Sequence, residues 1–153
     1  MQNHMNIRLA KSRDADRLIE FNMRMAKETE GKQLNYKKLA SGVRAILADS
    51  KHGFYLVAEV AGEVVGSLMV TTEWSDWRNG TFWWIQSVYV APEFRRRGVF
   101  RALYEDARGR AKNEVRVCGC RLYVERDNAS AQIAYTRLGL KETKYKMFED
   151  NFY

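Results

Sequence analysis

The sequence predicts an α+β domain built on a central mixed, mostly antiparallel β-sheet flanked by helices. Three observations carry this expectation. Two amphipathic helical stretches precede three strand-like runs joined by short turns. A helix and a further strand then follow, which adds one β-α-β crossover to a set of antiparallel hairpins. No Pro/Gly/Ser-rich linker, low-complexity tract or repeat interrupts the 153 residues, and Pro92 is the only proline, so residues 1–153 read as one domain.

Taken in order, residues 7–9 suit a short strand. Ser12 follows as a helix cap, and Ala15, Leu18, Ile19, Met23 and Ala26 recur at helical spacing until Gly31. Asn35 caps a second helix whose apolar face carries Leu39, Val43, Ile46 and Leu47, and a turn over 50–53 closes it. Residues 54–60 and 63–72 are strands joined by Ala61-Gly62, a connection short enough for a hairpin. Asn79-Gly80 signals the next turn, and the β-branched and aromatic run 81–90 is long enough for a central strand. Pro92 stops that strand. From Gly98, Phe100, Leu103, Ala107 and Ala111 recur at helical spacing, so Phe100 is expected to turn into the core beside Leu103 and Ala107. Residues 121–125 read as a strand, 129–138 as a helix closed by Gly139, and 140–152 as one or two final strands.

The hydrophobic fraction of 46% and the charged fraction of 29% fit a folded globular chain and exclude a disordered one. Apolar runs such as 64–70 fall far short of the roughly 20 residues that cross a bilayer. Residues 1–7 lack the start of a secretory signal, so a cytoplasmic location and no membrane partner are expected. Cys118 and Cys120 sit one residue apart, on one face of a strand approach and too close for an ordinary bridge. They read as reduced, small hydrophobes. His4 and His52 do not give them metal-site spacing, so no metal is expected. The net charge of +7 favours a polyanionic partner, whether nucleic acid, acidic substrate or phosphorylated cofactor. Its distribution is sharper: Arg95, Arg96, Arg97 and Arg101 crowd around Gly98.

The segment from Gln86 to Arg101 ends a strand, turns in a basic loop and starts a helix. Amides at a helix start lack helical acceptors and carry the positive end of the dipole, which suits a pyrophosphate. Gly98 admits close approach and the arginines add charge-assisted donors. As a bare pattern, an Arg-rich helix start also fits a solvated surface.

The run Val90-Ala-Pro-Glu-Phe-Arg-Arg-Arg-Gly-Val resembles the acetyl-CoA signature of the GNAT superfamily: Gln or Arg, two residues, Gly, one residue, then Gly or Ala. Arg95 and Gly98 match, while Phe100 stands where a small residue is expected. A second block, Leu122 to Leu140, is similar to the family's strand, its N-x-x-A-x-x-x-Y helix (Asn128, Ala131, Tyr135) and its closing glycine, Gly139. The resemblance covers essentially the whole chain. It implies a GNAT-like fold and transfer of an acetyl group from acetyl-CoA, as co-substrate, to a primary amine. It further implies that the backbone of Val88, Tyr89 and Val90 pairs with the pantetheine arm. Arg95, Arg96, Arg97, Gly98, Val99, Phe100 and Arg101 would then receive the pyrophosphate. Asn128 would contact the pantetheine or its neighbouring loop, and Tyr135 would sit near the thioester sulfur. Asn128 also reads as a helix cap, and Tyr135 as a core aromatic.

The implied chemistry is direct attack of a neutral amine on the thioester, with no covalent enzyme intermediate. Tyr135 suits the general acid, because a phenol with a reference pKa of about 10 can protonate a departing thiolate. An N–H near Val88 would polarise the carbonyl. Trp84 occupies the position where many members carry a Glu or Tyr base, which leaves Glu73 and Tyr123 as candidates. Glu73 reads equally as a solvated carboxylate, and Tyr123 as a sheet-packing aromatic. An acceptor site is expected between residues 28–35 and 73–79, where Glu28, Glu30, Glu73, Asp76, Trp74 and Trp77 could attract a cationic amine. The two tryptophans fit core or dimer contacts as well, which keeps a homodimer open. Two alternatives stand beside transfer: a catalytically silent acyl-CoA-binding protein, and a nucleic-acid-binding domain that stacks bases on Phe82, Trp83, Trp84 and Tyr89. The second ranks lower, because the arginines concentrate at one helix start and no nucleic-acid-binding motif is present.

Overall fold

A computed structural model describes residues 4–153, in two compact units, one ending at Leu122 and the other spanning Tyr123–Tyr153. The first contains β1 (Met5–Leu9), α1 (Ala15–Glu30), α2 (Tyr36–Ala48), β2 (Phe54–Val60), β3 (Glu63–Ser75), β4 (Gly80–Val90), α3 (Val99–Asn113) and β5 (Val117–Arg121). The second contains α4 (Ala129–Arg137). The fold class is α+β, and the five strands form one mixed sheet in the order β1-β2-β3-β4-β5. Neighbours from β1 to β4 are antiparallel, and β4 pairs with β5 in parallel across the α3 crossover.

Local chemistry accounts for these connections. Ala61 (φ 50°) and Gly62 (φ 79°) both take positive φ, the conformation that turns a two-residue hairpin with the twist of its strands. Gly31 (φ 63°) ends α1 with its N–H on Lys27 O at 3.1 Å. Asn35 caps α2, its Oδ1 accepting from Lys38 N at 3.0 Å. Leu18, Phe21, Val43 and Ile46 from α1 and α2 pack against Tyr55 and Val57 of β2. On the opposite face α3 approaches at Gly66, where a Cβ would lie 2.8 Å from Val99 Cγ1.

Several expectations are corrected. Ser12 does not cap α1: Ser12–Asp14 is a 3-10 turn, and Asp14 stands at the helix start. The reason is electrostatic. Asp14, 5% exposed, accepts from Lys11 N at 2.7 Å and pairs with Arg8 at 2.8 Å, while Arg8 also pairs with Glu59. β3 runs three residues past its expected end, so Glu73 lies within the strand. β5 occupies 117–121, not 121–125, with an extra residue bulged against β4 between Thr81 and Phe82. Gly119 belongs there because a Cβ would press on the Phe82 ring at 3.1 Å. No strand forms over 140–153; the second unit holds no other strand to pair with, and Met147, Phe148 and Phe152 remain exposed. Phe100 is only partly buried, because α3 buries Val99, Leu103, Ala107 and Ala111 along one stripe and Phe100 falls beside it, 6.2 Å from the Tyr104 ring.

Candidate active site

The ladder between β4 and β5 ends at Trp84–Arg121, whereas the ladder between β4 and β3 continues to Val90–Gly66. From Ile85 to Val90, β4 therefore has one edge without a ladder partner among the described residues. One extra β4 residue is inserted in this stretch, opposite Ser67–Met69, and Ser87 takes φ 50° there. Such an edge suits a linear chain bearing amides.

The strand leads through a 3-10 turn, Pro92–Phe94, into the loop before α3. Arg96 (φ 63°) and Gly98 (φ 78°) both take the left-handed conformation. Ala102 N–H bonds Gly98 O at 3.0 Å, so the amides of Val99 and Arg101 belong to the first turn, which has no helical acceptors. A Cβ on Gly98 would meet no protein atom within 4 Å, so the glycine is favoured by its left-handed backbone conformation and not by close packing. A strand edge running into the positive end of a helix places backbone donors and acceptors beside a terminus that favours negative charge.

The arginines divide by partner. Arg95 Nη2 bonds Glu28 Oε2 at 2.7 Å, its Nε bonds Val90 O at 2.9 Å, and its guanidinium lies 5.4 Å from the Tyr89 ring centroid. Tyr89 Oη donates to Glu28 Oε1 at 2.9 Å. Burial pushes the Glu28 carboxyl up, but the bonds from Arg95 and Tyr89 outweigh it and hold the group below the usual range. Burial, and then Glu28, push the Tyr89 phenol up. Arg101 pairs with Glu105 at 2.9 Å. Arg97 stacks on Phe94, and neither it nor Arg96 has a carboxylate partner among the described residues. The side chains of Tyr89 and Val99 are buried. Val88 and Val90 are partly buried.

Among the catalytic candidates, Glu73 Oε1 accepts from Arg121 Nη1 at 2.9 Å and from Trp84 Nε1 at 3.3 Å. Arg121 also stacks 3.6 Å from the Phe82 ring centroid. Tyr123, Asn128 and Tyr135 lie in the second unit. There Asn128 caps α4, its Oδ1 accepting from Ala131 N at 3.2 Å. Burial pushes the Tyr135 phenol up, and Tyr123 is exposed.

Sequence reasoning did not find two features. One is the Glu28–Tyr89–Arg95 cluster, which ties the last turn of α1 to β4 and the loop. The other is a cavity of about 440 Å³ between α2 and the sheet, reaching Tyr55, Thr71 and Ser87. Trp74 and Trp77, 65% and 91% exposed, are not core residues. Phe82, Trp83 and Tyr89 are buried, which removes three of the four aromatics offered for base stacking. Cys118 and Cys120 are both free, and burial pushes the Cys120 thiol up. Among the described residues no His/Cys/Asp/Glu group could hold a metal, and no helix is long and apolar enough to cross a membrane.

An α+β fold in which the unladdered edge of β4 runs into an arginine-rich helix start is the class that the geometry defines. Comparison with known proteins narrows the class. The model of the acetyltransferase (GNAT) family matches residues 15–140, so the chain belongs to the GNAT acetyltransferase family. Its fold is shared by a possible acetyltransferase from Clostridium difficile 630, at 44% identity and TM-score 0.91 over 97% of this chain and 98% of that one. The aminoglycoside N-acetyltransferase AAC(6')-Iy, in complex with CoA, aligns at 20% identity and TM-score 0.80 over 99% and 97% of the two chains. A predicted acetyltransferase with acetyl-CoA, from Clostridium acetobutylicum, aligns at 19% identity and TM-score 0.79 over 96% of each. No curated protein matches the sequence.

Proposed function

We propose that residues 1–153 act as one catalytic domain that transfers the acetyl group of acetyl-CoA to a primary amine by direct attack. The observation that carries this is the β4 edge from Ile85 to Val90 running into the α3 start at Gly98. Backbone groups of Val88, Tyr89 and Val90 hold the pantetheine. The loop amides, with Arg96 and Arg97, hold the pyrophosphate, and Arg95 positions the loop through Glu28 and Val90. The bulge at Ser87 re-aims the strand amides, one of which polarises the thioester carbonyl.

The amine nitrogen forms the new C–N bond and loses a proton as the C–S bond breaks, and the thiolate gains a proton. Tyr135, in the helix pattern of the family, is the proposed general acid. Its raised phenol keeps the proton at neutral pH until the thiolate develops. Glu73 and Tyr123 are the candidate proton acceptors. Arg121 and Trp84 fix Glu73 Oε1, and Oε2 is the oxygen that can face a water or amine.

Tyr135→Phe tests the acid. It keeps the ring, so acetyl-CoA affinity holds while kcat falls by about 10- to 1000-fold. Weaker acetyl-CoA binding with unchanged kcat would make Tyr135 a binding residue instead. The silent acyl-CoA-binding alternative draws support from the engagement of Glu73 with Arg121 and Trp84. Tight acetyl-CoA binding without thiol release across a broad amine panel would establish it.

A further inference from the structure

We propose that the cavity between α2 and the sheet receives the acceptor, and that it selects a primary amine on a compact apolar or aromatic body without a second positive charge. This rests on the acetyltransferase reading above. Position comes first. Ser87, the β4 residue at positive φ, lines the cavity, within the stretch where the β5 ladder has ended. An amine held there approaches the strand segment assigned to the thioester arm. The volume of about 440 Å³ falls in the range of small-molecule sites.

The lining decides the chemistry. Leu39, Val43, Ile46 and Met69 give it an apolar wall, and no Asp or Glu lines it. Its buried hydrogen-bonding groups are neutral. Asn22 Nδ2 donates to Leu18 O at 2.9 Å and to Tyr55 Oη at 3.3 Å, and burial pushes the Tyr55 phenol up. Thr71 and Ser87 add neutral hydroxyls, and exposed His52 adds an imidazole at the edge.

The site is open to solvent on one side, and a polycation lying along its apolar wall meets no carboxylate there, so a second charge gains no counter-ion from the lining. Two of the carboxylates expected to attract one are already engaged, Glu28 with Arg95 and Glu73 with Arg121. The net charge of +7 adds long-range repulsion. For a monoamine the same environment is favourable: desolvation shifts it toward the neutral form, which attacks the thioester. The apolar wall holds its body while one proton leaves the nitrogen.

Gly42, on α2, gives a direct test, because it lines the cavity and a Cβ there would meet nothing within 4 Å. A larger side chain at this lining position is accommodated without backbone strain and with better helix propensity, and it narrows the space beside Leu39, Val43 and Ile46. The experiment measures free-thiol release with saturating acetyl-CoA, using 2-phenylethylamine and spermidine as acceptors. Acetyl-CoA affinity is measured separately by calorimetry. The expected result is a kcat/KM for 2-phenylethylamine at least about tenfold above that for spermidine. Gly42→Leu lowers the former by about tenfold or more with unchanged acetyl-CoA affinity, the scale of a lost fit in an apolar pocket. Gly42→Asp, as a second variant, shifts preference toward spermidine. Equal or reversed preference, no turnover of either amine while acetyl-CoA binds, or an unchanged rate in a folded Gly42→Leu would overturn the assignment. Absence of acetyl-CoA binding by the wild type would instead overturn the acetyltransferase reading on which it rests.

Discussion

Gly98 combines φ 78° with open space around its missing Cβ, so two substitutions at this one position separate backbone strain from ligand approach. Gly98→Ala costs about 1 kcal/mol of stability from the left-handed conformation. Gly98→Glu adds to this a side chain and a negative charge in the loop proposed to hold the pyrophosphate. At Phe100 the structure revises the sequence expectation. A partly exposed ring predicts that Phe100→Ala lowers the melting temperature far less than Leu103→Ala, whose fully buried side chain is worth about 2–5 kcal/mol. Equal losses in thermal unfolding would return Phe100 to the core. Loop residues such as Arg95 and Gly98 were legible because a helix start has a local pattern. The partner of Arg95 was not, since Glu28 lies 67 positions away and such an ion pair leaves no local trace.

At the scale of elements, the start of α1 depends on the Arg8–Asp14–Glu59 cluster, which joins β1, the helix and β2. The Arg8 guanidinium holds the Asp14 carboxyl below its usual range. A depressed folded-state pKa means that this stabilisation is present above the unfolded value of about 4 and is lost as pH falls below it. Asp14→Asn should therefore destabilise the protein at pH 7, by about 3 kcal/mol, the low end for a broken buried pair, and the difference should shrink toward pH 3. Denaturant unfolding at both pH values measures it, and a pH-independent difference would assign the loss to packing. The hairpins and helices were legible from turn residues and periodicity. β5 was misplaced because Cys118-Gly119-Cys120 lacks the β-branched signature, although Gly119 fits the Phe82 ring closely. Residues 140–152 carry a strand-like composition, but composition supplies no pairing partner, and the second unit contains none.

At the scale of the molecule, the order of elements was enough to identify the fold class, because two N-terminal helices, three antiparallel strands and a crossover admit few arrangements. The acceptor was not legible. The cavity lining comes from α1, α2, the turn over 50–52 and three strands, and no single segment carries its lack of acidic groups. The central claim is that acetyl-CoA occupies the β4 edge and the α3 start, and calorimetry with acetyl-CoA on the wild type and on folded Gly98→Glu tests it most directly. Saturable binding to the wild type, lost in the variant, is the predicted result. Wild-type affinity retained by Gly98→Glu, or no binding by either protein, would contradict it.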